Sequence, residues 1–339
     1  MTRQLSEADD PTAAIQDLPT SKPRRRNPFV AIDELRVASV LAVIVIVVSV
    51  FHPQFLSIGS IANITQQASF FGIMALGMVF LMSMGELDLS VGGNFAFCAM
   101  ITAMMAAGGV NLWLAALIAI LVGAILGAIN ALLSNALGVP MIVITLGTLA
   151  SYRGMALIVN GAQSATGGDR NDPFFTVLGG SLFGIPALSV ALVVLTIVLT
   201  ILYRLSSFGF AVRAIGSNLH AARLSGYRVS LIKVQTSSLL GALCGISGVL
   251  SFAFFGASDP AVGTGYELLV IAAAVIGGTA LTGGRGTVPG AMLGAIVVSV
   301  ISGALTAFGV SVNYAAFVTG IVIIGAVALD SALRRRPRS

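Results

Sequence analysis

The chain has 339 residues, 57% of them hydrophobic and only 9% charged, with a formal net charge of +5. Soluble domains carry roughly 25% charged residues, so this composition excludes a soluble globular protein and defines an integral membrane one. The apolar residues fall in long runs instead of alternating, which makes the spans helices and not barrel strands.

From the N-terminus, residues 1–34 are polar and rich in acids, Pro and Arg, and read as a disordered cytoplasmic tail. Ten apolar runs follow, at roughly 35–51, 62–84, 89–107, 112–135, 140–160, 186–203, 234–256, 266–281, 288–308 and 313–333. Each is read as a membrane span, with the first and eighth short enough for one of them to be re-entrant. The transmembrane region is thus 35–333, closed by a basic tail at 334–339.

Basic residues set the orientation. Arg24 to Arg26, the tail arginines from Arg334, and the loop 204–233 with Arg204, Arg213, Arg223, Arg228 and Lys233 share one side by span parity, the cytoplasmic one. The loop 161–185, with Asp169, Arg170 and Asp172, falls outside. In 204–233, apolar Val212, Ile215, Leu219 and Leu224 recur among basic positions at helical spacing, which predicts one or two short amphipathic helices.

Chemistry is conspicuous by its exclusion. Cys98 and Cys244 lie in apolar runs and read as buried thiols, and His52 and His220 are isolated. No catalytic constellation, metal cluster, phosphate-cradling loop or nucleic-acid module can be assembled, so no enzymatic role, bound cofactor or nucleic-acid partner is expected.

Sliding the chain by 171 residues aligns three stretches without a gap. Asp88-Leu-Ser-Val-Gly92 falls on Asp259-Pro-Ala-Val-Gly263, Leu121–Ile125 on Met292–Ile296, and Leu137–Pro140 on Phe308–Ser311. Spans two to five (about 62–160) therefore repeat as spans seven to ten (about 234–331). An odd number of spans separates their starts, so the two halves are inverted in the membrane, which is a transporter signature.

The repeat gives Asp88, Ser90, Gly92, Asp259 and Gly263 a reading as turn residues. The aspartates would cap the third and eighth spans, with direct contact to solute or cation as the alternative. Inverted topology puts the two carboxylates at opposite faces, which removes an acid/base pair. Arg153, inside the fifth span, either snorkels outward or serves a polar interior. Gln66 and Gln67 at the end of the second span, with Asn94 and Asn130 inside others, suit a hydroxylated solute or act as helix–helix glue. The lack of a buried carboxylate chain argues against a proton- or sodium-driven pump.

"GELDLSVGG", "NLHAARLSG" and "AAAVIGGTALTGGRGTVPGAMLGAIVVSVI" resemble the permease subunits of bacterial ribose-type sugar ABC importers, over roughly residues 35–336. The third stretch, with its turn at Gly283-Gly284-Arg285-Gly286, is the most specific. The resemblance implies an inner-membrane permease moving a monosaccharide or small polyol, paired with a second permease copy. It also implies a cytoplasmic ATP-binding subunit that carries ATP and Mg, and a periplasmic binding protein. An importer for a nucleoside or signalling molecule, and an ion-coupled secondary carrier, are the alternatives. The family's ATPase-coupling motif is matched by Ala221, Ala222 and Gly226, with His220 where Glu is common. Glu86 and Leu87 also depart from the usual Gly and Ile before Asp88-Leu-Ser.

Overall fold

The computed structural model describes residues 29–182 and 184–310, and beyond them only positions 314, 317, 320, 321 and 325. Its long helices are α1 (Phe29–Phe51), α2 (Ile58–Ser83), α3 (Val91–Ala107), α4 (Leu112–Leu137) and α5 (Met141–Val159). After a short α6 (Pro173–Leu178) come α7 (Ala187–Leu205), α8 (Ser207–Ser217), α9 (Leu219–Leu224), α10 (Val229–Phe255), α11 (Tyr266–Ile276) and α12 (Val288–Ala307). Two-residue strands add little: β1 (Ala165–Thr166) pairs antiparallel with β4 (Ala257–Ser258), and β2 (Ser181–Leu182) with β3 (Ile185–Pro186).

Among the described residues seven helices are long and apolar enough to cross a membrane: α1, α2, α4, α5, α7, α10 and α12. The expected third and eighth spans are the shorter apolar helices α3 and α11, of 17 and 11 residues. At 1.5 Å per residue α11 is only about 17 Å long. The sequence reading overextended it because Gly277, Gly278 and Thr279 are apolar enough to continue the run, whereas the backbone turns there, with Gly278 at φ +92°. The tenth expected span, 313–333, lies outside the described residues apart from isolated positions.

Local signals explain the ends. Asn111 caps α4 through bonds from the Trp113 and Leu114 amides, and Gly138 closes it at φ +65°. Ser206 and Asn218 cap α8 and α9, and Thr287 caps α12 ahead of Pro289.

The centre is built by α2 and α10, which touch each other and are the most buried of the long helices. The way they are clad is crossed. Helix α10 lies against α3 and α4, whereas α2 lies against α11 and α12, with α7 alongside. Helices α3 and α4 also touch each other, as do α11 and α12. Small residues allow the closest approach: a side chain at Gly127 would strike the Ser237 carbonyl, and one at Gly241 the Gly123 carbonyl, so α4 and α10 meet backbone to backbone.

Loops collect at two ends. At one end Gly284 N–H donates to Ser83 O (2.9 Å), Gly216 abuts both, and Arg204 pairs with Glu34 at 2.9 Å. At the other end Ser164 reaches Asp259, β1 joins β4, and Arg170 reaches Phe254 O. Ser164 and Ser217 stand at these opposite ends.

Candidate functional site

Three polar assemblies interrupt the apolar interior. The first is the 84–90 loop. Asp88 is 2% exposed; its Oδ1 accepts from the Ser90 amide (2.7 Å) and hydroxyl (2.6 Å), and its Oδ2 from Asn130 Nδ2 (3.2 Å). Asn130 Nδ2 also donates to Ser90 Oγ (2.7 Å), and Tyr152 of α5 donates to Asn130 Oδ1 (2.8 Å). Leu89 N–H donates to Thr145 Oγ1 at 3.1 Å. A buried carboxylate is tolerable only when so hydrogen-bonded.

This corrects the expected role of Asp88. The N-cap of α3 is Ser90, without a side-chain cap bond, and Asp88 instead closes the turn before it. Asp259 likewise bonds Ala261 N–H (2.8 Å), in a turn six residues short of α11. Both aspartates fold a loop; neither caps a helix.

The neighbouring Glu86 pairs with Lys233 of α10 at 2.5 Å, and the Lys233 ammonium also donates to Ser134 of α4 (2.8 Å). The pair ties the 84–90 loop to α10.

The second assembly surrounds Arg153. Its Nη1 donates to Val262 O (2.6 Å) and Pro260 O (3.3 Å), and its Nη2 to Gly263 O (3.3 Å). The guanidinium neither snorkels out nor stands free: it holds the irregular stretch between β4 and α11. Gly263, at φ +69°, lies under the Phe95 ring, where no side chain fits. Beside it Glu267 Oε2 meets Gly92 of α3.

The remaining expected residues divide. Asn94 is buried and donates to Gly123 O of α4 (3.1 Å), and Asn130 is equally enclosed, so both join helices. Gln66 is half-buried and Gln67 exposed on α2. Arg285 is exposed, its carbonyl accepting from Ala280 N–H in the turn that meets Ser83 and Gly216.

The third assembly is the α8–α9 loop. Helix α8 buries Val212 and Ile215, and α9 buries Ala222, which is 4% exposed. That overturns the expected outward role of the Ala222 side chain: α9 turns it toward the helix core, and Tyr227 N–H closes onto its carbonyl. His220, Ala221, Arg223 and Gly226 face outward, as does Leu224 at 78% exposure. Between α7 and α12 runs a groove of about 340 Å³ lined by Val193, Ile197, Ile201 and Met292. Its Thr196 and Thr200 hydroxyls bond their own helix's carbonyls, which leaves an apolar surface suited to lipid.

Sequence reasoning missed the Glu86–Lys233 pair, for which a separation of 147 residues gives no local signal. It also passed over Glu267, although an acid opening an apolar run is a signal in itself.

Residues 60–327 match the family described as "Branched-chain amino acid transport system / permease component", and the chain belongs to that family of permeases. It is 36% identical over 290 residues to the ribose import permease protein RbsC of Bacillus subtilis, covering 86% of this chain and 90% of the relative. It is 35% identical to the D-allose transport system permease protein AlsC of Escherichia coli K12, covering 86% and 89%. The ribose import permease of that E. coli strain is 33% identical, with 86% and 91% covered. No solved structure matches the chain.

Proposed function

We propose that this chain is the membrane-spanning permease subunit of an ATP-driven importer, moving a monosaccharide through the bacterial inner membrane. The observation that carries the reading is the similarity, over 86% of the chain, to permeases named for ribose and for allose. The work of ATP hydrolysis falls to a separate cytoplasmic subunit that binds ATP and Mg, and solute arrives on a periplasmic binding protein. A second copy of the permease completes the passage.

In this reading ten spans cross the membrane with both termini inside, and the halves 62–160 and 234–331 are inverted repeats. The crossed packing supports it. Shifting by 171 residues exchanges α2 with α10, α3 with α11 and α4 with α12. The exchange turns the contacts of α10 with α3 and α4 into those of α2 with α11 and α12. The gathering of Ser164 and Ser217 at opposite ends agrees with the same topology. The ATPase seat is the outward face of α9 and the turn after it, formed by His220, Ala221, Arg223, Leu224 and Gly226, while Ala222 fixes that helix to the bundle.

The test is uptake of radiolabelled ribose and allose into proteoliposomes holding the permease, its ATPase and its binding protein. Uptake that needs ATP and the binding protein is the expected result; uptake without the ATPase subunit refutes the reading. Cysteines introduced at Ser164 and Ser217 should label from opposite sides of the membrane, since native Cys98 and Cys244 are buried.

A further inference from the structure

Glu267 is an unusual acid. It opens α11, an otherwise apolar helix, and one carboxylate oxygen, Oε2, is buried without a hydrogen-bond donor among the described residues. A carboxylate oxygen withdrawn from water and left without a donor is costly, and such groups in native proteins call for an explanation.

Its surroundings narrow that explanation. Oε2 lies against Gly92 of α3, at a place where any side chain on residue 92 would collide with it. Arg153 Nη2 would stand 3.5 Å from the same added atom, so guanidinium and carboxylate both pack around Gly92. The two charges attract each other without an ion pair closing between them. The Arg153 donors go instead to the carbonyls of Pro260, Val262 and Gly263. Arg153 thus fixes the loop that delivers Glu267 without consuming its acceptor capacity.

The cluster lies inside the bundle. Arg153 is six residues from the end of α5, hence about 9 Å inside it. It belongs to the first half of the chain and Glu267 to the second, so the cluster joins residues of both. Next to Glu267, the Tyr266 ring stands 5.4 Å from Phe95 and 6.0 Å from Phe71, an aromatic wall beside a carboxylate.

We propose that Glu267 accepts hydrogen bonds from the hydroxyl groups of the sugar as it passes between the two halves, with Arg153 as the positioning residue and Gly92 leaving the carboxylate room at the face of α3. The ligand class follows from the charges. A cation is opposed by the guanidinium and an anion by the carboxylate, whereas a neutral polyol supplies donors to Glu267 and a C–H face to the aromatic wall. The proposal rests on the sugar-import reading above, and its test separates the two.

Two measurements decide it. In the assembled permease, ATPase and binding protein complex, Glu267→Cys should react with a membrane-impermeant maleimide in at least one of the nucleotide-free and ATP-bound states. Thr264→Cys, exposed at the mouth of the same stretch, should react in every state and is the positive control for labelling. In proteoliposomes, Glu267→Gln should lower ribose or allose uptake at least tenfold, while Glu267→Asp, which keeps both acceptor oxygens, should retain a larger share. Protection of Glu267→Cys in every state overturns the proposal, as does wild-type uptake in Glu267→Gln, which decides the matter if the cysteine variant fails to fold. If the unaltered complex imports neither sugar, the sugar reading fails. The labelling then still decides whether Glu267 lines a passage.

Discussion

Asp88 and Asp259 stand 171 residues apart and build the same turn, yet one is sealed inside the protein and the other is open at its end. In both, Oδ1 accepts the amide two residues on, and Oδ2 accepts from a side chain of another element: Asn130 for Asp88, Ser164 for Asp259. The difference is what surrounds the second bond. Asn130 sits in mid-helix on α4, linked onward to Tyr152 of α5, whereas Ser164 belongs to an exposed loop beside β1. A repeated sequence thus preserves a local turn, while the partner helices decide whether that turn is a surface feature or a structural junction.

The sharpest way to break the parallel is to remove both carboxylates. Asp88→Ala strips acceptors from the Ser90 amide, the Ser90 hydroxyl and the Asn130 amide in a buried site. Each buried group left unpaired costs about 1–3 kcal/mol, so a loss of roughly 3 kcal/mol and a poor yield of folded permease are expected. Thermal unfolding of the detergent-solubilised protein measures it. A loss no greater than that of Asp259→Ala would erase the distinction.

Asp88→Asn comes next. At an exposed cap Asn replaces Asp with little loss, but here its amide would face the amide of Asn130, donor against donor. A loss of about 1–2 kcal/mol is expected. Asn130→Asp in the same chain should recover much of it, because exchanging the two side chains restores the donor–acceptor pair and leaves Tyr152 a carboxylate to donate to. No recovery in the double variant would mean that the Asp88–Asn130 bond is not what holds the junction.

This explains which features the sequence could show. The membrane helices were legible because hydropathy depends on composition. The turn at Asp88 was legible as a turn, but its burial came from α4 and α5, whose contribution no local pattern announces. Ala222 failed for the same reason: a small residue in an amphipathic segment suits an outer groove or an inner contact, and only the packing of α9 chooses. The overlong eighth span failed because apolar Gly and Ala residues continue the hydropathy after the helix has ended. Arg153 was visible as a charge inside a span, whereas its partners, three backbone carbonyls more than a hundred residues away, carry no side-chain signature.

Asp259→Ala is expected to be mild. The turn loses its bonds to Ala261 and Ser164, but both groups can turn to water, so a cost of about 0.5–1 kcal/mol should appear in the same unfolding measurement. Ser164→Ala should reproduce part of it and add little on top, since both changes delete one bond. Additive losses would show that Ser164 and Asp259 act separately.

The smallest effect is one of pH. The Ala261 amide, and then the Ser164 hydroxyl, stabilise the charged form of Asp259 and hold its carboxyl below the ordinary value of 3.8. A folded-state value below the unfolded one favours the folded state wherever the carboxylate is charged in both, that is, above the ordinary value, and the advantage fades as pH falls through the folded one. Comparing wild type with Asp259→Asn should therefore give a stability difference that is flat from pH 8 to about pH 5 and shrinks only below about pH 4. Because the side chain is exposed and solvent screens its charge, the difference on the plateau should be no more than a few tenths of a kcal/mol. A transition centred nearer neutrality would show that Asp259 is desolvated in the assembled transporter, as Asp88 is within the chain, and the contrast between the two turns would then belong to the isolated subunit alone.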